Sequence, residues 1–176
     1  MTRPVQQQQQ RKPYAMPAKN KLTLSVQFAD DRLAADLPRT LLRRWVQSAL
    51  LGPAELTLRF VDESEGRALN RDYRHKDYAT NVLTFAYGET EENIVQADIV
   101  FCTDVLMREA AERQISVAQH AAHLVVHGVL HAQGYDHEVE DDAQEMEKFE
   151  TEILAGLGMP DPYADTTEPK ARKITI

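Results

Sequence analysis

A chain of 176 residues, 43% hydrophobic and 27% charged, has enough material for one domain with a real core, and no apolar run approaches the roughly 18 to 20 residues that span a bilayer. A net charge of −8 argues against broad, non-specific attraction to nucleic acid, so any work on RNA must use a local basic patch. The one cysteine, Cys102, makes no internal disulfide, reads as a small buried hydrophobe and leaves a cytoplasmic location as the expectation.

Residues 1–19 hold a glutamine run and are basic and acid-poor, a faint echo of a mitochondrial targeting peptide. Pro4, Pro13 and Pro17 would break the amphipathic helix such a peptide needs, so a disordered tail is expected. KLTLSVQF (21–28) then alternates, with Leu22, Leu24, Val26 and Phe28 on one face of a strand. A helix is expected from near Pro38, at a permitted first-turn position, to Leu51. Leu41, Leu42, Trp45, Val46 and Ala49 form its apolar stripe, and Gly52 and Pro53 stop it. ELTLRFV (55–61) is a second strand.

Asp62 with Glu65 makes a capping-box-like start to a helix reaching about Tyr73, followed by a polar loop, RHKDYATN (74–81). VLTFAY (82–87) and ADIVFC (97–102) read as strands joined by an acidic loop. Thr103 or Asp104 is expected to cap a helix to Gln114, and Ser116 with Gln119 a helix to about Gln133. Gly134 ends that helix in a left-handed cap, and a last helix covers about 140–157 before Gly158 and Pro160. The sum is one catalytic domain over 20–163, with a flexible tail over 164–176. Its class is α/β (α+β), a small mixed four-stranded sheet packed with about five helices.

The chemistry concentrates in HGVLHAQGYDH (127–137). His127 and His131 stand four apart, about 40° of rotation on a helix, so two imidazoles share one face a turn apart. Gly134 can reverse the chain and bring His137 to the same ion. Three neutral imidazoles suit zinc or a similar divalent transition metal and leave a coordination position open, the mark of a catalytic site. The competing possibility is that histidines on an apolar helix are only hydrogen-bonded core residues. His120 and His123 lie on the same face one to two turns earlier and are expected to support the site rather than ligate. Asp136 either supports a ligand or caps the turn. Metzincin peptidases share this spacing but place a glutamate base directly after the first histidine, where this chain has Gly128, so proteolysis lacks its base.

These residues resemble the signature of the YbeY endoribonucleases. LNRDYRHKDYATNVLTFAY (69–87), ADIVFC (97–102) and EDDAQEMEKFETEIL (140–154) resemble further blocks of that family, so the likeness covers about 55–163. Many members have aspartate where Asn81 stands, serine at Thr84 and glycine at Ala97, and none of these departures touches a ligand. The resemblance implies a zinc-type ion on His127, His131 and His137 and a functional arginine at Arg74. It also implies action on single-stranded RNA, in 16S ribosomal RNA 3′-end maturation and ribosome quality control, in association with the small ribosomal subunit. Neither DNA nor a membrane is expected as a partner. Arginine's planar fork matches two phosphate oxygens, and Arg71, His75 and Lys76 extend a basic run around Arg74. Tyr78 is a candidate for base stacking, whereas Tyr73 is expected to pack. The alternatives are a metallohydrolase of another substrate class and a non-enzymatic ribosome-assembly factor with a structural metal. No residue is identifiable as a general base.

Overall fold

Alternating apolar residues become strands here, and the helices between them cover the faces those strands expose. The computed structural model describes residues 20–135 and 140–164. The expected tail at 1–19, all but the first residue of the one expected at 164–176, and Asp136 and His137 lie outside the described residues.

The order is β1 (Leu22–Phe28), α1 (Arg39–Ala49), β2 (Ala54–Val61), α2 (Glu63–Arg74), β3 (Val82–Glu89), β4 (Val95–Cys102), α3 (Thr103–Glu112), α4 (Val117–Ala132) and α5 (Glu140–Gly156). The sheet runs β1-β2-β4-β3, with β1, β2 and β4 parallel and β3 antiparallel to β4. The expected α/β class, mixed four-stranded sheet and five helices are what the described residues form.

Alternation assigns the two faces. Leu56, Leu58, Phe60, Ile99 and Phe101 pack toward α1, α4 and α5, whose Leu42, Trp45, Leu124, Val129 and Ile153 complete the main core. Val61, Leu83 and Val100 point to the other face, where Leu69 of α2 covers them. From His120 to Leu130 every residue of α4 is buried, because the sheet, α1, α3 and α5 surround it. Each fully buried Leu or Val there contributes about 1.5–3 kcal/mol relative to exposure.

Several local expectations are corrected. β3 and β4 run further than their sequence patterns, and the acidic loop shrinks to a turn in which Thr90 N–H donates to Ile94 O at 3.0 Å. Pro38 is the residue before α1 rather than its first-turn residue, and the helix ends at Ala49. Asp62 does cap α2, accepting from Glu65 N–H at 2.8 Å, but the Glu65 carboxylate turns away to Arg59 at 2.7 Å. Neither Thr103 nor Asp104 caps α3, whose cap position is Cys102. The Asp104 carboxylate instead accepts from Glu63 N–H at 2.8 Å, serving an unpaired first-turn donor of the neighbouring helix.

Candidate metal centre

α4 carries the site, and its start is well specified. Ser116 Oγ accepts from Gln119 N–H at 3.0 Å while Gln119 Oε1 accepts from Ser116 N–H at 3.2 Å, the reciprocal cap read from the sequence. The helix then stacks four imidazoles along one side. Ring centroids of His120 and His123 are 6.3 Å apart, His123 and His127 6.5 Å, and His127 and His131 6.2 Å. The last pair is nearly coplanar in orientation, with 26° between ring planes.

Each of the two expected helix ligands has an acceptor on Nδ1. His127 Nδ1–H donates to Oε1 of Glu150 on α5. His131 Nδ1–H donates to the Tyr135 carbonyl at 2.7 Å. That carbonyl is in place because Gly134, at φ 97°, reverses the chain and Tyr135 N–H closes back on Leu130 O at 3.2 Å. An acceptor on Nδ1 favours the tautomer whose lone pair is on Nε2, the form in which imidazole binds a metal. The same pattern on both rings fits the donor set expected of a zinc-type centre. His137, the third expected ligand, lies outside the described residues, and among the described residues no group of three His, Cys, Asp or Glu side chains is arranged to hold a metal ion.

Behind His127 lies a buried polar cluster that sequence reasoning missed. Oε2 of Glu150 accepts from His123 Nε2–H at 3.0 Å and from the Tyr163 hydroxyl, which is itself 3.1 Å from His123 Nε2. Glu150 is fully buried. Burial alone would raise its pKa, but hydrogen bonds and charge from His123 and His127 outweigh that and hold it below the ordinary carboxylate range. Burial and the adjacent Glu150 charge push the Tyr163 phenol up, and burial pushes His123 down. A legible signal existed in the sequence: Glu150 falls on the apolar stripe of α5, between Met146 and the pair Ile153 and Leu154.

A second carboxylate ties α4 to the loop expected to meet the substrate. Glu109 of α3 accepts from His120 Nε2–H at 2.9 Å and from Asn81 Nδ2–H at 3.0 Å, at the end of that loop. The start of the loop is set by His75, which closes α2 at φ 59° with its N–H on Arg71 O at 3.1 Å. Asn70, buried, donates to Tyr78 O at 2.7 Å and holds the middle. Arg74 is the last residue of α2, half-buried, on a different element from His127 and His131. Arg67 engages Asp77 through two hydrogen bonds at 2.8 and 2.9 Å, which offsets the acidic member of the basic run. Tyr73, expected to pack, is 66% exposed and meets Phe85 only edge-on; Tyr78 is 46% exposed. Cys102 is buried and its thiol is pushed up by burial, as suits a packing residue.

Gly128 faces away from this side. A Cβ there would lie 2.8 Å from Cγ2 of Ile99 and 3.5 Å from Cγ2 of Val82, so α4 approaches the sheet where it has no side chain. A glutamate base at that position has no room.

A family model described as Endoribonuclease YbeY matches residues 18–158. The chain belongs to the YbeY endoribonuclease family. A YbeY endoribonuclease of Janthinobacterium sp. (strain Marseille) is 64% identical over 149 residues, covering 84% of this chain and 98% of that protein. One from Herminiimonas arsenicoxydans is 60% identical, covering 83% and 97%, and one from Paraburkholderia phytofirmans 57%, covering 81% and 96%. A Thermotoga maritima protein solved in solution is similar at 23% identity with a TM-score of 0.49, over 83% of this chain and 99% of that one. The YbeY model begins near the first described residue and runs just past α5, so all four imidazoles of α4 and Glu150 fall within it, while Tyr163 follows it.

Proposed function

We propose that this chain is a zinc-dependent endoribonuclease that cuts single-stranded ribosomal RNA, with His127, His131 and His137 holding the ion. The observation that carries the metal reading is the matched engagement of Nδ1 on His127 and His131, which gives both rings the ligating tautomer on one helix face. The family names its relatives endoribonucleases, which supplies the substrate class. When bound, a divalent ion on three neutral imidazoles supplies a full double positive charge for a phosphate oxygen.

The chain's own residues do the rest. Arg74 takes two phosphate oxygens with its planar fork and meets the charge that grows as the P–O bond breaks. Arg71 and Lys76 extend that contact along the strand, and the exposed rings of Tyr73 and Tyr78 offer faces for unstacked bases. The substrate is the 3′ end of 16S ribosomal RNA on or near the small ribosomal subunit, in the cytoplasm. Among the described residues no helix is long and apolar enough to cross a membrane.

The test is cleavage of a single-stranded fragment of ribosomal RNA by the full chain, before and after chelation, with casein and duplex RNA as competitors. Cleavage of the single strand is expected to vanish with chelator, return with zinc and be absent in His127→Ala, which also loses bound metal by elemental analysis. Cleavage that survives chelation, or equal metal content in wild type and variant, sinks the reading. Cleavage of casein would point to the peptide alternative, and metal binding without any cleavage to a structural ion.

A further inference from the structure

The carboxylate of Glu150 is fully buried beside the candidate ligands, where it accepts from His123, His127 and Tyr163. A buried charge is expensive to keep, and apolar side chains evidently fit this stripe of α5, since Met146, Ile153 and Leu154 flank it in the core. What a carboxylate provides there and a methionine would not is an acceptor aimed at a ring nitrogen.

We infer that Glu150 is a positioning residue that acts through His127, holding Nδ1–H so that Nε2 is the ligating atom, with His123 and Tyr163 holding Glu150 in turn. This rests on the metal reading above and extends it to a residue 23 positions downstream of the ligand, on another helix. The division of oxygens supports it. Oε1 serves His127, while Oε2 serves His123 and the Tyr163 hydroxyl, so the carboxylate plane is anchored from behind and cannot rotate off the ligand without breaking its other bonds. His131 needs no such partner from α5, because the chain reversal at Gly134 supplies the Tyr135 carbonyl. The two ligands of one helix are thus oriented by different means, one by a local turn and one by tertiary packing. Tyr163 follows α5 on a segment closed onto the helix by Met159 N–H to Leu154 O at 2.8 Å, so the chain beyond α5 also bears on the metal centre.

The test begins with the metal-free wild-type chain, labelled with 15N at histidine, in a long-range 15N–1H spectrum. His127 is expected as the Nδ1–H tautomer; an Nε2–H signal overturns the inference without any variant. Next, zinc affinity is measured by competition with a chromogenic chelator. Glu150→Gln keeps the shape and removes the charge, and is expected to weaken zinc binding by about 10- to 100-fold with a mixed His127 tautomer. Unchanged affinity, with only thermal stability reduced, overturns it. Tyr163→Phe, a conservative change at the edge of the domain, is expected to weaken zinc by less than Glu150→Gln. A larger loss overturns the order of action, in which Tyr163 bears on His127 through Glu150. If the wild type binds no zinc, the metal reading falls, while the wild-type spectrum still decides the hydrogen bond by itself.

Discussion

At position 128 the helix gains from having nothing. Alanine is favoured over glycine in a helix interior by about 1 kcal/mol. Here the added Cβ would meet Cγ2 of Ile99, a branched and fully buried side chain, at 2.8 Å, so relief requires α4 or β4 to move. Overpacking of this kind costs about 1–3 kcal/mol. Gly128→Ala is therefore expected to lower the melting temperature by a few degrees, despite its better propensity, while leaving both Nδ1 hydrogen bonds intact. A variant as stable as wild type or more so would show that the helix has slack against the sheet. The same residue distinguishes this centre from a peptidase: sequence showed that the base is missing, and packing shows why it cannot be restored.

Among the elements, α3 makes a contribution that titrates. Glu109 faces His120 on α4, Asn81 at the end of the loop and Arg113 at the close of its own helix. Burial pushes its pKa up, but hydrogen bonds from His120 and Asn81 and the nearby positive charge more than compensate, so the folded value lies below the ordinary 4.5. The unfolded chain then binds more protons than the folded one around that pH. Its stabilising contribution is present above the ordinary carboxylate value and is lost as pH falls through the lower folded one. Denaturant midpoints of the wild type, measured from pH 6 down to pH 3, are expected to fall more steeply than those of Glu109→Gln. Parallel curves would remove Glu109 from the account. Much of each element was legible beforehand. The capping box at Ser116, the left-handed Gly134 and the stripe of α1 are local patterns, and local patterns survive into the fold. The destinations of Glu65 and Asp104 were not, because the fold brings each carboxylate a donor from another element or loop, Arg59 to Glu65 and both Glu63 N–H and Arg32 to Asp104.

For the molecule as a whole, a net charge of −8 and a small basic run at Arg71, Arg74 and Lys76 imply recognition by few phosphate contacts. Each contact to single-stranded nucleic acid contributes roughly −0.7 to the slope of log affinity against log salt, so three cations give a slope of about −2. Arg74→Glu is expected to make that slope shallower and abolish cleavage while zinc content and melting temperature stay at wild-type values. A slope near −6 in the wild type would mean a far wider electrostatic surface than this run, and unchanged turnover in the variant would take Arg74 out of the site. Alone, the sequence determined the fold class, the helix pair His127 and His131 and the reversal at Gly134, because periodicity and spacing are properties of neighbours in the chain, while its motif blocks carried the resemblance to the family. Only the tertiary structure decided that Glu150 orients His127, that Glu109 links the loop to α4, that Tyr73 stays in solvent and that Gly128 lies against the sheet. Those facts depend on which elements pack together, and a side chain's partner on another element is chosen by that packing rather than by any local pattern.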